Sequence, residues 1–100
     1  MMTEIEVMRK RLRIKTNILD VDIEQNIQSA IAEMRRVGIA VTDLSNPLIF
    51  TCAEFYCKWL MGFEGDGEKY EKAFEKVRDA LSLSGEYTNE TDKQKTGGVK

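Results

Sequence analysis

This sequence of 100 residues contains no histidine, which removes the commonest general base and the commonest metal ligand of proteins. It has two cysteines, Cys52 and Cys57. On a helix, side chains five residues apart point about 140° away from each other, so these two thiols cannot form a disulfide. Two thiols without histidine also do not complete a zinc site. We therefore expect two buried, apolar cysteines, no bound metal and no cofactor.

Neither sign of charge is in large excess. The chain has 15 basic and 17 acidic residues and a net charge of −2, whereas nucleic-acid-binding domains are usually strongly basic. The distribution is uneven, because residues 1–15 carry five basic and two acidic side chains while residues 16–66 carry three and eight. Charge alone therefore does not select a partner.

A long hydrophobic run is also missing. The most apolar segment, residues 47–61, is interrupted by Glu54 and Lys58 and is shorter than a membrane span requires. The chain opens Met-Met-Thr-Glu, without the basic start and apolar stretch of a signal peptide. We expect a single small soluble domain that is made in the cytoplasm and does not bind a membrane.

Apolar residues recur at helical spacing in four segments, which predicts an all-α fold. A first helix follows Thr3, which forms a capping-box pattern with Glu6. Three more helices are predicted at about residues 20–37, 47–61 and 67–83, with Gly38 ending the second, Asn46-Pro47 starting the third and Asp66 available to cap the fourth. We expect a small four-helix domain over residues 1–83 and a flexible, polar C-terminal tail over residues 84–100.

The third predicted helix is apolar around nearly its whole circumference, which favours a central, buried position. Glu54 and Lys58, four residues apart, are expected to mark its one strip facing water. The large apolar side chains leave two possibilities open. Either the flanking helices cover them all, or the surplus forms an exposed patch of the kind that marks a protein interface.

Five basic residues crowd the end of the first predicted helix: Arg9, Lys10, Arg11, Arg13 and Lys15. Cations stabilise the negative end of a helix dipole, which is one explanation of the cluster. Contact with phosphate or with an acidic partner is the other.

Because no catalytic arrangement of side chains is recognisable, we do not expect an enzyme.

Three groups of residues, in order along the chain, carry a resemblance to a known family. They are Leu12-Arg13-Ile14-Lys15-Thr16 with Asp20, Ile23, Ile27, Ala30 and Val37-Gly38; Asn46-Pro47-Leu48-Ile49 with Tyr56-Cys57-Lys58 and Gly62-Phe63; and Tyr70-Glu71-Lys72-Ala73-Phe74 with Leu81-Ser82-Leu83-Ser84-Gly85-Glu86-Tyr87. Together they resemble the opening, the central helix, and the closing helix with the start of the tail, of tailed-phage head–tail connector proteins. These small helical adaptor or head-completion proteins, often described as DNA-packaging proteins, occur in phages and prophages of Gram-positive bacteria. The resemblance covers about residues 4–87.

The resemblance implies a structural protein of the virion, located at the head–tail interface and synthesised in the cytoplasm of a host bacterium. About a dozen copies would form a ring beneath the portal protein. This ring extends the DNA channel, completes the head and receives the next connector, stopper or tail-completion protein. DNA would pass through it without sequence-specific binding.

Within this interpretation, the residue types alone supply the candidate contacts. The candidates for core or subunit contacts are Phe50, Phe55, Trp59 and Phe63. The candidates for contacts with an acidic neighbour are Arg9, Arg11, Arg13 and Lys15.

Two alternatives remain open beside this interpretation. One is a small helical DNA-binding or regulatory protein that uses the basic end of the first helix, whose binding must weaken steeply as salt rises. The other is a homo-oligomeric helical module with no viral role, which composition does not separate from a connector.

Overall fold

The computed structural model describes residues 3–62 and 65–88, and these residues contain five helices and no strands. The helices are α1 (Glu4–Arg11), α2 (Asp20–Arg36), α3 (Pro47–Leu60), α4 (Gly67–Ser82) and α5 (Gly85–Thr88). The predicted all-α fold with four main helices is confirmed, and α2, α3 and α4 begin at the predicted residues. In the part of the chain that the structure describes, none of the helices has the length and hydropathy needed to cross a membrane.

Two helices begin at side-chain caps that the sequence predicts. At α1 the Thr3 hydroxyl accepts a hydrogen bond from the Glu6 amide at 3.2 Å, and the Glu6 carboxylate accepts one from the Thr3 amide at 2.7 Å. At α3 the side-chain oxygen of Asn46 accepts from the Leu48 amide at 2.9 Å. Asp66 does precede α4, but its side chain makes no capping bond, so that detail of the prediction is wrong.

The core lies around α3, which packs against α2 on one side and α4 on the other. Helix α1 packs across α2 and contributes Met8, and Leu12 follows directly after it; both are almost completely buried. Every fourth or third residue along the inner face of α2 is buried as well: Ile23, Ile27, Ala30 and Met34. The connector after α2 adds Ile39, which is 1% exposed. One continuous hydrophobic core therefore joins the four main helices.

Glu54 and Lys58 were expected to mark the solvent-exposed strip of α3, but both are largely buried. Glu54 is buried, with only 7% of the residue exposed, and the Lys58 side chain is 15% exposed. The prediction was wrong because it used only the spacing within α3. A cation from another helix, Arg11, reaches Glu54 and allows the carboxylate to be buried.

The apolar surplus of α3 is largely covered. Among its large aliphatic side chains, Leu48 and Leu60 are about half exposed, at 49% and 47%, and they lie at opposite ends of the helix. Ile49, Cys52, Ala53 and Cys57 have no measurable exposure. No continuous apolar patch along α3 follows from these positions in the described residues.

The segment expected to be a flexible tail begins with an ordered part, α5. The carbonyl of Tyr87 accepts hydrogen bonds from the amides of Ala40 at 2.8 Å and Val41 at 3.1 Å. Its hydroxyl lies 3.2 Å from the side-chain oxygen of Asn46 and donates to it. For residues 84–88 the structure therefore differs from the expectation, because these long-range bonds fix Tyr87 against the α2–α3 connector. Residues 89–100 lie outside the described residues.

Candidate functional site

The end of α1 has an unusual backbone. The Arg13 amide donates to the Lys10 carbonyl and the Ile14 amide donates to the Arg9 carbonyl, both at 3.0 Å. These two bonds form a Schellman motif, in which the residue after the helix cap adopts the left-handed conformation. Here that residue is Arg13, with φ 59°. Glycine is the usual choice at this position, because a side chain is strained there.

Two of the five basic residues at this end are held by acids within the domain. Arg9 donates from Nε and Nη2 to the two carboxylate oxygens of Asp20, at 2.9 and 2.7 Å. This paired contact lowers the pKa of the Asp20 carboxyl and raises that of Arg9. It fixes the end of α1 to the start of α2.

Arg11 is the second internal contact. Its Nη1 donates to Oε1 of Glu54 at 2.9 Å, and its guanidinium lies 5.6 Å from the centre of the Phe50 ring. Lys58 approaches the other carboxylate oxygen of Glu54 at 3.0 Å. The buried acid therefore holds α1 to α3, and Arg11 has a structural role in the domain.

The remaining three cations, Lys10, Arg13 and Lys15, are exposed, and we call them the basic patch. Over residues 3–62 and 65–88, their side chains make no ion pair or hydrogen bond. They border an open depression of about 520 Å³ that Arg9 and Ile14 also line. Three uncompensated positive charges therefore face solvent at one end of a protein whose net charge is −2.

The structure thus divides the predicted acidic-partner contacts into two kinds. Arg9 and Arg11 lie where predicted but are engaged within the domain, whereas Arg13 and Lys15 are available to a partner. Lys10 belongs with the available pair because it lies in the same turn and is equally exposed. Lys10 is part of the predicted basic cluster but not one of the predicted partner contacts, since spacing alone does not show which cations pair with acids.

The predicted aromatic contacts lie inside the domain where they are described. Phe50 is 8% exposed, and Phe55 stacks on Tyr70 with ring centres 6.3 Å apart. Trp59 is partly buried and meets Tyr56 edge to face at 5.4 Å. These rings pack in or against the core. Phe63 lies outside the described residues.

The two cysteines are buried as predicted. Neither residue has measurable exposure, and burial raises the pKa of each thiol to about 12. Cys52 lies with its sulfur 4.0 Å from the carbonyl oxygen of Phe74 on α4. Both therefore act as small core residues and are protonated at neutral pH.

Other chemistry is sparse in the described part of the chain. No group of three or more acidic, histidine or cysteine side chains lies close enough together there to hold a metal ion. Every buried side-chain nitrogen or oxygen of the described residues has a hydrogen-bond partner. The arrangement suits the binding of an anionic or acidic surface at the basic patch.

Fold and site together define a class, a small all-α domain with an exposed cationic patch at one helix end. Comparison of the chain with protein-family models, with curated proteins and with solved structures finds no significant match in any of the three.

Proposed function

We propose that this protein is a structural, non-catalytic component of a phage particle, a head–tail connector that binds the portal and forms a ring beneath it. The basic patch is the observation that carries the proposal. Lys10, Arg13 and Lys15 point to solvent without an acid of their own, in a chain that is otherwise net acidic. An acidic surface on the portal or on a neighbouring copy would supply the missing charges.

The strain at Arg13 supports a role for its charge. Two other helices end with the same left-handed conformation, at Gly38 with φ 100° and at Gly62 with φ 62°. Among the described helix ends with this conformation, the one that lies in the basic patch carries arginine instead of glycine. Strained residues of this kind are concentrated at functional sites.

The resemblance over residues 4–87 supplies the identity of the partner, and the domain's size and helical architecture are compatible with it. In this proposal Arg9 and Arg11 shape the site while Arg13 and Lys15 contact the partner. The acidic remainder of the chain suits a channel wall along which DNA slides without being held. Location in the virion is part of the same proposal.

Binding to the portal protein encoded in the same genome tests the proposal. We expect the purified chain to co-sediment with the portal ring at low and moderate salt, at about a dozen copies per ring. The variant Arg13→Glu/Lys15→Glu should bind at least about tenfold more weakly. The matched control is Lys72→Glu/Lys76→Glu, which makes the same charge change on the exposed face of α4. Equal binding of the two variants, or no binding of the unaltered chain, would contradict the proposal.

The same patch favours one other function, DNA binding. Three cations predict an affinity for duplex DNA whose logarithm falls with a slope of about −3 against the logarithm of salt concentration. The cations lie at the negative end of α1, where they also stabilise the helix dipole. Among the described helices, none is long and basic enough to resemble a recognition helix. Salt-sensitive DNA binding by a chain that ignores the portal would favour this second function.

A further inference from the structure

A line of exposed, uncharged residues runs along the centre of the outer face of α2. Val21, Gln25, Gln28 and Ala32 are all exposed and recur at intervals of four, three and four residues. We call these four residues the α2 stripe. Val21 is 67% exposed, and Ile18, just before the helix, is 78% exposed. This spacing is that of residues by which one helix packs along another.

The outer face of α4 is different, although α4 also covers α3. Its exposed positions are, apart from Ala80, all charged: Glu68, Lys69, Lys72, Lys76 and Asp79. An uncharged stripe is therefore not a general property of the surface helices of this domain.

The charges beside the α2 stripe have a definite order. With about 100° of rotation per residue, Glu24 and Arg35 lie on one side of the stripe and Asp22 and Arg36 lie on the other. On each side the acid is near the start of the helix and the base is near its end. The side chains of Asp22, Glu24 and Arg35 form no ion pair with any described residue, while Arg36 pairs with Glu33 at 2.9 Å.

We propose that the α2 stripe binds the α2 stripe of a second copy of this chain, with the two helices antiparallel. A twofold axis near Gln28 then brings Glu24 of each copy to Arg35 of the other, and Asp22 to Arg36. The same register places an acid opposite a base on both sides of the stripe, because each acid–base pair is centred close to residue 29; on one side the base, Arg36, keeps its own Glu33 as a further partner. Self-complementary contacts of this kind define an isologous dimer.

The contact is small. The stripe extends over about 17 Å of helix, and a single pair of helices buries less area than a standard protein interface. We therefore expect a weak dimer of the free chain. An isologous contact closes after two copies, whereas a ring needs a head-to-tail contact. This inference thus goes beyond the proposed function and uses a different surface.

Cross-linking at the twofold axis tests the contact. We expect Gln28→Cys to form a disulfide-linked dimer under mild oxidation, because the two introduced thiols lie opposite each other. Cys52 and Cys57 do not compete, since both are buried. The control is Lys72→Cys on the outer face of α4, which should remain largely monomeric. Equal cross-linking of the two variants, or none with Gln28→Cys, would overturn the proposal.

Exchange of the charges gives a second, independent test. Glu24→Arg and Arg35→Glu should each weaken dimerisation about tenfold in sedimentation equilibrium, because each places like charges together twice per dimer. The double variant Glu24→Arg/Arg35→Glu should regain the original affinity. Weakening without recovery, or no weakening, would overturn the arrangement. The portal takes no part in either measurement, so the proposed function and this dimer succeed or fail separately.

Discussion

At the scale of single residues, Arg13 is the position where local stability and surface charge conflict. The backbone needs a left-handed residue after α1, and an L side chain in that conformation costs about 1–2 kcal/mol. Gly38 fills the equivalent place after α2 without this cost. The side chain of Arg13 makes no ion pair or hydrogen bond with a described residue that offsets the strain. What it adds is a charge on the surface.

Replacing Arg13 by glycine should therefore stabilise the domain. We expect Arg13→Gly to raise the free energy of unfolding by about 1 kcal/mol, measured by urea denaturation. The control Arg13→Lys keeps both the charge and the strain, so its stability should be unchanged. If the basic patch binds the portal, the glycine variant combines higher stability with weaker binding. A less stable glycine variant would contradict this explanation.

Arg13 also shows what sequence reasoning misses at this scale. The end of α2 at Gly38 and the start of α3 at Asn46-Pro47 were predictable, because each position holds the residue type that helix ends prefer there. The end of α1 at Arg13 has no such sequence signal, since residue preferences favour glycine or asparagine at a left-handed position. The cap after α1 was therefore visible only in the structure.

At the scale of helices, Glu54 connects elements that are distant in sequence. It accepts from Arg11, which is 43 residues earlier, and pairs with Lys58 on its own helix. We expect Glu54→Gln to lower the free energy of unfolding by about 2 kcal/mol. The substitution removes the buried negative charge that binds both Arg11 and Lys58, so Lys58 is left with weaker contacts. Arg11 is half exposed, which keeps this value below that of a fully buried pair.

Glu33→Gln is the matched control for this prediction. Glu33 also has two cationic partners, Arg36 at 2.9 Å and Arg78 at 3.9 Å, but its side chain is 36% exposed, against 10% for Glu54. The same chemical change should therefore cost less than about 1 kcal/mol there. Equal losses in urea denaturation of the two variants would show that burial of Glu54 is not what makes its contacts strong.

Contacts between distant elements mark the limit of prediction at this scale. The helices themselves were predictable, because apolar spacing and caps are local features of the sequence. The burial of Glu54 was not, since the local pattern shows Lys58 but not the approach of Arg11. Helix α5 was missed for the same reason. Its composition is polar, and Tyr87 is held by amides more than forty residues away, at Ala40 and Val41.

At the scale of the whole molecule, the single hydrophobic core suggests that the domain unfolds as one unit. Cys52 and Cys57 report on this property. They lie on α3 in the centre of the core, and both have a pKa raised to about 12. Cys52 is next to the Phe74 carbonyl of α4. Opening of α4 alone would therefore expose Cys52 to a thiol reagent, whereas global unfolding exposes both thiols.

We expect the two native thiols to react with a thiol reagent at the same slow rate. We also expect urea to increase both rates equally. Burial and the raised pKa prevent reaction in the folded state, so labelling requires the opening of the core. The variants Cys52→Ala and Cys57→Ala, each with one native thiol left, separate the two rates once corrected for their own stability. Lys72→Cys, exposed on α4, should react at once and shows that the reagent is not limiting. Faster labelling of Cys52 than of Cys57 would mean instead that α4 separates from α3 while Cys57 stays covered.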